Sequence, residues 1–162
     1  MELRAETEED WWEVETLLDL SFAPGREALS SYRLREGVPP RADLCLVARE
    51  EGLAGCIRAW PVRIGTAGAV LVGPVAVHPT RQGEGLGGLL IRACLERARQ
   101  AGEARAMLVG DAPYYGRFGF ARLPGVEMPP PTNPDRILGV ALSPGGWDGV
   151  RGRVERAAPH PT

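Results

Sequence analysis

Apolar and polar positions follow two rhythms along this chain, one strand-like and one helical. Residues 2–5, ELRA, are long enough for one short strand. From Thr7 the rhythm changes. Trp11, Val14, Leu17, Leu18 and Phe22 recur at a helical period. Thr7 stands in the capping position, and Glu8, Glu9 and Asp10 fill a first turn whose dipole favours anions. Pro24-Gly25 stops this helix. Residues 26–36 predict a second, short helix closed by Gly37 and Pro39-Pro40. Leu44–Arg49 and Leu53–Ile64 flank the turn dipeptide Glu51-Gly52, a hairpin pattern. Residues 69–77, AVLVGPVAV, are almost continuously apolar, as a strand covered on both faces would be. Gly73-Pro74 interrupts them. Proline cannot donate to a ladder, so a bulge or a splayed section is expected there.

A helix over Gly85–Ala101 follows. Leu86, Leu89, Leu90, Ala93, Cys94 and Ala98 form its apolar stripe; Arg92, Glu96, Arg97 and Arg99 lie on the other side. Gly102 ends it. Residues 105–109 predict a strand. GDAPYYGRFGFARL predicts a loop with a short helical turn and a strand from Phe120. The proline-rich loop MPPPTNPD and a strand over 137–142 come next. The Gly/Pro-rich end carries at most a short strand near 150–154, and 155–162 reads as a flexible tail. The order is β-α-α-β-β-β-α-β-α-β-β, without repeats or a dividing linker. It predicts one α+β (mixed α/β) domain over 1–162, built on a single central sheet.

Composition narrows the classes. The chain of 162 residues is long enough for one sizeable core. Its net charge of −2 comes without a basic block, which argues against a nucleic-acid partner. No apolar run approaches the ~18 residues of a membrane span. The acidic first residues lack a signal-peptide core, so a cytoplasmic location is expected. Cys45, Cys56 and Cys94 lack CxxC spacing and read as buried thiols, with no metal site. All 19 basic residues are arginine. Without lysine there is no Walker A motif and no lysine Schiff-base chemistry.

The segment VHPTRQGEGLGGLL, residues 77–90, puts Gly83, Gly85, Gly87 and Gly88 directly before a helix. A tight turn would explain one or two of them. Gly83-x-Gly85-x-x-Gly88 also matches a dinucleotide fingerprint, with Asp111 ending the next strand. That fingerprint needs its first glycine at the strand end, and here residues 78–82 intervene. The third possibility is a cradle for a diphosphate. The first N–H groups of a helix have no internal partner, and the dipole favours an anion there.

VAVHPTRQGEGLGGLL resembles the central motif of the GNAT N-acetyltransferase superfamily, with Gln82, Gly85 and Gly87 at its named positions. YYGRFGF, residues 114–120, resembles the superfamily's Tyr-x-x-x-Gly-Phe, through Tyr115, Gly119 and Phe120. The segment GDAPYYGRFGF is particularly similar to a branch of small bacterial acetyltransferases. The resemblance implies the GNAT acyl-CoA N-acyltransferase fold, a mixed and mostly antiparallel sheet flanked by helices. It implies acetyl-CoA as co-substrate and a primary amine as acceptor, on a small molecule or a protein N-terminus. A non-catalytic acyl-CoA sensor with the same fold is the alternative.

Residue by residue, the resemblance implies that backbone amides of Gln82, Gly83, Glu84, Gly85, Leu86, Gly87 and Gly88 hold the pyrophosphate, with Arg81 adding a charge. It lays the pantetheine arm along Val75, Ala76 and Val77. The Val77 N–H becomes the oxyanion donor and Tyr115 the general acid. Relatives often place a glutamate on the central strand as base, but residues 69–77 contain no acid. Asp111, on the cofactor side, and His78 are the titratable candidates, with capping or a water relay as alternatives. Of Trp11 and Trp12, one is expected in the core and the other at the acceptor site. The acceptor site is expected between residues 8–36 and the loop 124–136. The last strand could pair within the chain or across a homodimer.

Overall fold

The computed structural model describes residues 1–22 and 30–157. The expected stop at Pro24-Gly25, residues 26–29 of the expected second helix and residues 158–162 lie outside them. β1 (Glu2–Ala5) leads through a 3-10 turn at Glu8–Asp10 into α1 (Trp11–Ser21). α2 is Ser30–Arg33. β2 (Leu46–Arg49), β3 (Leu53–Ile64) and β4 (Ala67–Val77) form an antiparallel meander. α3 (Leu86–Gln100) crosses to β5 (Arg105–Val109), which lies parallel to β4. After α4 (Ala112–Tyr115) come β6 (Ala121–Arg122), β7 (Val126–Glu127), β8 (Ile137–Ala141) and β9 (Gly152–Arg156).

The strand order is β1-β2-β3-β4-β5-β8-β6. Most pairs are antiparallel; β4 with β5 and β7 with β9 are parallel. This is an α+β fold, a mixed sheet flanked by helices. The short strand expected near 150–154 is β9, which pairs Val62–Ile64 of β3 within the chain, continuing the edge that β2 covers at Leu53–Ile57. Glu155 and Arg156, at the start of the expected tail, belong to it.

α3 covers one face of the sheet. Leu86, Leu90, Ile91, Cys94, Leu95 and Ala98 pack there against Leu46, Ile57, Val70 and Leu108. Leu89, placed on the apolar stripe by periodicity, is instead exposed, while Ile91 and Leu95 are buried. Leu86, Leu90, Cys94 and Ala98 are buried as expected, and the stripe widens toward Ile91 and Leu95. On the opposite face α1 lays Val14, Leu17 and Leu18 over Val47, Cys56 and Ala76.

Asp10 ties β1 to α1. Its carboxylate is 2 % exposed and accepts from Arg4 Nη1 and Nη2 (2.6 and 2.9 Å), the Thr7 N–H (2.8 Å) and Arg49 Nη1 (3.2 Å). Hydrogen bonds from Arg4 hold the Asp10 carboxyl well below the usual range. Thr7 thus opens the helical segment as expected, with Asp10 reaching back to its N–H.

Candidate active site

β4 and β5 pair only at Val70↔Ala106 and Leu71↔Met107. β4 then runs on to Val77 without β5 beside it, so the sheet opens. The sequence places this opening. Gly73 and Pro74 stand against the single residue Arg58 of β3, a bulge between Val72 and Val75. Gly73 has φ +124°, which glycine tolerates, and its peptide bond to Pro74 is cis.

Beyond the bulge the ladder phase decides which groups face the opening. The His78 N–H donates to the Ala54 carbonyl at 2.8 Å. Antiparallel pairs alternate between bonded and non-bonded. With Gly55↔Val77, Cys56↔Ala76 and Ile57↔Val75 in register, Ala76 spends its backbone on β3. Val75 and Val77 turn their N–H and C=O away from β3, into the opening. The Ala76 side chain is buried beneath α1, so this residue presents neither backbone nor side chain to the cleft.

The glycines divide into two pairs. Gly83 and Gly85 have φ +86° and +77°, turning the chain sharply into α3 with Gly85 as its cap. Gly87 and Gly88 are needed for close approach. A Cβ on Gly87 would stand 3.3 Å from Tyr114 Oη, and one on Gly88 would stand 3.3 Å from Phe118 Cζ. The Leu89 N–H closes the first turn on the Gly85 carbonyl at 3.1 Å. The N–H groups of Leu86, Gly87 and Gly88 therefore lie ahead of the helical ladder.

These parts meet in one cleft of about 500 Å³. Val75 and Val77 form its strand wall; Gln82, Gly83, Gly85, Leu86, Gly87 and Gly88 form its helical end. Arg81, Arg92 and Arg117 bring three cations to it. Arg92 stacks over Phe118 at 4.8 Å and Arg117 lies over Tyr114 at 5.6 Å. The set suits a pantetheine-linked diphosphate: outward strand amides for the arm, helical amides and arginines for the phosphates. Periodicity assigned Arg92 to the solvent side. It stands seven residues after Gly85, two turns along the same helix face, and that spacing could have revealed it.

Tyr115 sits where the cleft meets the opening. Its ring fills the space that a Cβ on Gly110 would need, 2.5 Å from Tyr115 Cε2. Burial raises the phenol above its ordinary value and keeps it protonated at neutral pH. Glu84 faces solvent and pairs with Arg81 at 3.1 Å. The two candidate bases are both engaged as caps. Asp111 caps α4, accepting from the Tyr114 N–H at 3.0 Å, and lies outside the cleft lining. His78 Nδ1 accepts from the Thr80 N–H at 3.2 Å and meets Thr80 Oγ1 at 2.8 Å.

On the other side of the opening lies a second pocket, of about 130 Å³. Phe22, Tyr32, Arg35, Val72 and Leu108 line it, and it shares Val75 and Tyr115 with the cleft. Of the segments 8–36 and 124–136, the first contributes Phe22, Ser31, Tyr32 and Arg35 to this lining and the second contributes none. Neither tryptophan is in the core or in this pocket. Trp11 is 50 % and Trp12 72 % exposed, because the sheet-facing stripe of α1 begins at Val14. No cluster of metal-ligating side chains occurs among the described residues, and no described helix is long and apolar enough to cross a membrane.

A mixed sheet opened beside a glycine-bounded helix start defines an acyltransferase of the GNAT fold. Comparison with known proteins agrees. The family described as the acetyltransferase (GNAT) domain matches residues 2–123, and the chain belongs to that family. It is similar to YjhQ of Escherichia coli strain K12, an uncharacterized N-acetyltransferase, at 35% identity over 127 residues, covering 75% of this chain and 68% of YjhQ. Among solved structures it is similar to the E. coli GNAT family N-acetyltransferase YhbS in complex with CoA. That match has a TM-score of 0.83 and 27% identity, covering 96% of this chain and 89% of YhbS. A GNAT family acetyltransferase from Brucella melitensis, in complex with acetyl-CoA, matches with a TM-score of 0.72 and 32% identity over 97% of this chain and 96% of that one.

Proposed function

We propose that this protein is an acetyl-CoA-dependent N-acetyltransferase acting on a primary amine. One observation carries the reading: outward-facing Val75 and Val77 amides, the α3 amides and the half-buried Tyr115 phenol converge on one opening. CoA-bound and acetyl-CoA-bound relatives support the choice of co-substrate.

The donor supplies an acetyl thioester. Amides of Leu86–Gly88, with Arg81, Arg92 and Arg117, hold its phosphates; the β4 edge aligns its arm. The Val77 N–H stabilises the carbonyl oxygen as negative charge develops there. In the transfer a C–N bond forms and the C–S bond breaks. Tyr115 gives a proton to the departing sulfur, the amine nitrogen releases one proton to water, and the Tyr115 phenolate recovers its proton from water. With Asp111 and His78 both capping, the amine nitrogen enters uncharged. An alkyl amine with a pKa near 10.4 is neutral in about one molecule in a few thousand at pH 7.

Release of free thiol from acetyl-CoA, followed over an amine panel, tests this. Tyr115→Phe is expected to lower kcat about 100-fold with acetyl-CoA binding unchanged. In the unmodified protein kcat/KM should rise about tenfold per pH unit from pH 6 to 9, as the free amine accumulates. The raised phenol stays an acid across that range. The engagement of both candidate bases favours a second reading, an acyl-CoA sensor without turnover. Acetyl-CoA binding with no thiol release for any amine would select it.

A further inference from the structure

We propose that Tyr114 is a ligand of the donor's diphosphate, its hydroxyl donating to the phosphate at the start of α3, while its neighbour Tyr115 works at the thioester. The inference rests on the acetyltransferase reading for the identity of the donor, and on the geometry of the cleft for the residue. Tyr114 lines the cleft and has no part in the second pocket, whereas Tyr115 lines both. The Tyr114 Oη stands 3.3 Å from the place that a Cβ on Gly87 would take, and Val77 Cγ2 stands 3.6 Å from the same point. The hydroxyl therefore lies over the first turn of α3, beside the N–H groups of Leu86, Gly87 and Gly88 that precede the helical ladder. A side chain at residue 87 would push it away, so the glycine there leaves room for the phenol as well as for bare backbone.

The ring is held and the hydroxyl is left idle. Tyr115 and Phe118 meet the Tyr114 ring edge-on, with centroids 4.9 and 5.5 Å away, and the Tyr114 N–H is tied to Asp111 at 3.0 Å. Among the described residues nothing hydrogen-bonds the Oη, and the oxygen is not sealed away from solvent. No carboxylate lines the cleft among the described residues to take its proton. The groups around it are themselves donors: helix-terminal amides, and Arg117 over the ring at 5.6 Å. A phenol O–H set among donors can complete its hydrogen bonding on an anion that they share. Such a bond, with an ionised acceptor, belongs to the stronger class.

Titration calorimetry with CoA reads this without any turnover. Tyr114→Phe keeps the ring and its two edge contacts and removes only the hydroxyl. It should weaken CoA about tenfold, the size of one charge-assisted hydrogen bond, and weaken dephospho-CoA by the same factor. In turnover the variant should raise the KM for acetyl-CoA about tenfold and keep kcat, the reverse of the pattern expected of Tyr115→Phe. S-acetylpantetheine carries no phosphate, so its kcat/KM should not move. A ring that merely packs would leave CoA affinity untouched. Unchanged CoA binding by Tyr114→Phe therefore overturns the proposal. So does a loss seen with CoA and absent with dephospho-CoA, which would assign the hydroxyl to the 3′-phosphate. An equal loss with S-acetylpantetheine overturns it too, by assigning the hydroxyl to the arm. The acetyltransferase reading fails separately. Thiol release absent for every amine sinks that reading, while tenfold weaker binding of CoA and dephospho-CoA by Tyr114→Phe still keeps the diphosphate ligand.

Discussion

Gly85 and Gly88 stand three residues apart and are glycine for different reasons. Gly85 has a left-handed backbone, with nothing within 4 Å of where a Cβ would stand. Alanine there should cost about 1–2 kcal/mol in strain and lower Tm by several degrees. Gly88 is helical, so alanine gains up to about 1 kcal/mol in propensity but crowds Phe118. The two effects oppose. Gly88→Ala should therefore leave Tm almost unchanged while weakening CoA binding several-fold, because Phe118 carries Arg92 at the cleft. Calorimetry with CoA on both variants, beside thermal melts, distinguishes the roles. The four glycines were legible in the sequence as a demand for bare backbone. That two of them serve the protein's own aromatic rings was not legible, because the rings arrive from residues 114 and 118 through tertiary packing.

Elements carry the next level. β1 and α1 are joined through Asp10, whose carboxyl is depressed by Arg4 and further hydrogen-bonded by Thr7. A depressed carboxyl contributes fully above its unfolded value near 4, and that contribution fades as pH falls through the folded value. Asp10→Asn should therefore cost about 2 kcal/mol at pH 7. The difference in Tm between the two proteins should hold from pH 6 to about 4 and shrink as pH drops further. Element identity was largely readable from rhythm. α3, expected over Gly85–Ala101, spans Leu86–Gln100, and the interruption expected at Gly73-Pro74 is a bulge. Periodicity separates apolar from polar faces but does not say what a polar residue faces. Arg92 was lost for that reason. Neither Trp11 nor Trp12 takes the core place expected for one of them, because both precede the sheet-facing stripe of α1.

For the molecule as a whole, the sheet order depended on contacts far apart in sequence. The Gly/Pro-rich end gave little sign that β9 would complete the edge of β3. The cofactor side was legible because its local motifs record backbone geometry. The second pocket was not, because Phe22, Arg35 and Leu108 converge only in the fold. Among the described residues, the two mouths beside the opened sheet share Val75 and Tyr115 alone. The cysteine thiols offer no relay between them. Cys45, Cys56 and Cys94 are buried, and burial pushes their pKa values up to about 11, 12 and 12. On the proposed reading, donor and acceptor would be resident at once and the acyl group would pass directly from one to the other. Double-reciprocal plots at several fixed acceptor concentrations should intersect instead of running parallel. Acetyl-CoA incubated with the enzyme and no amine should leave the protein mass unaltered.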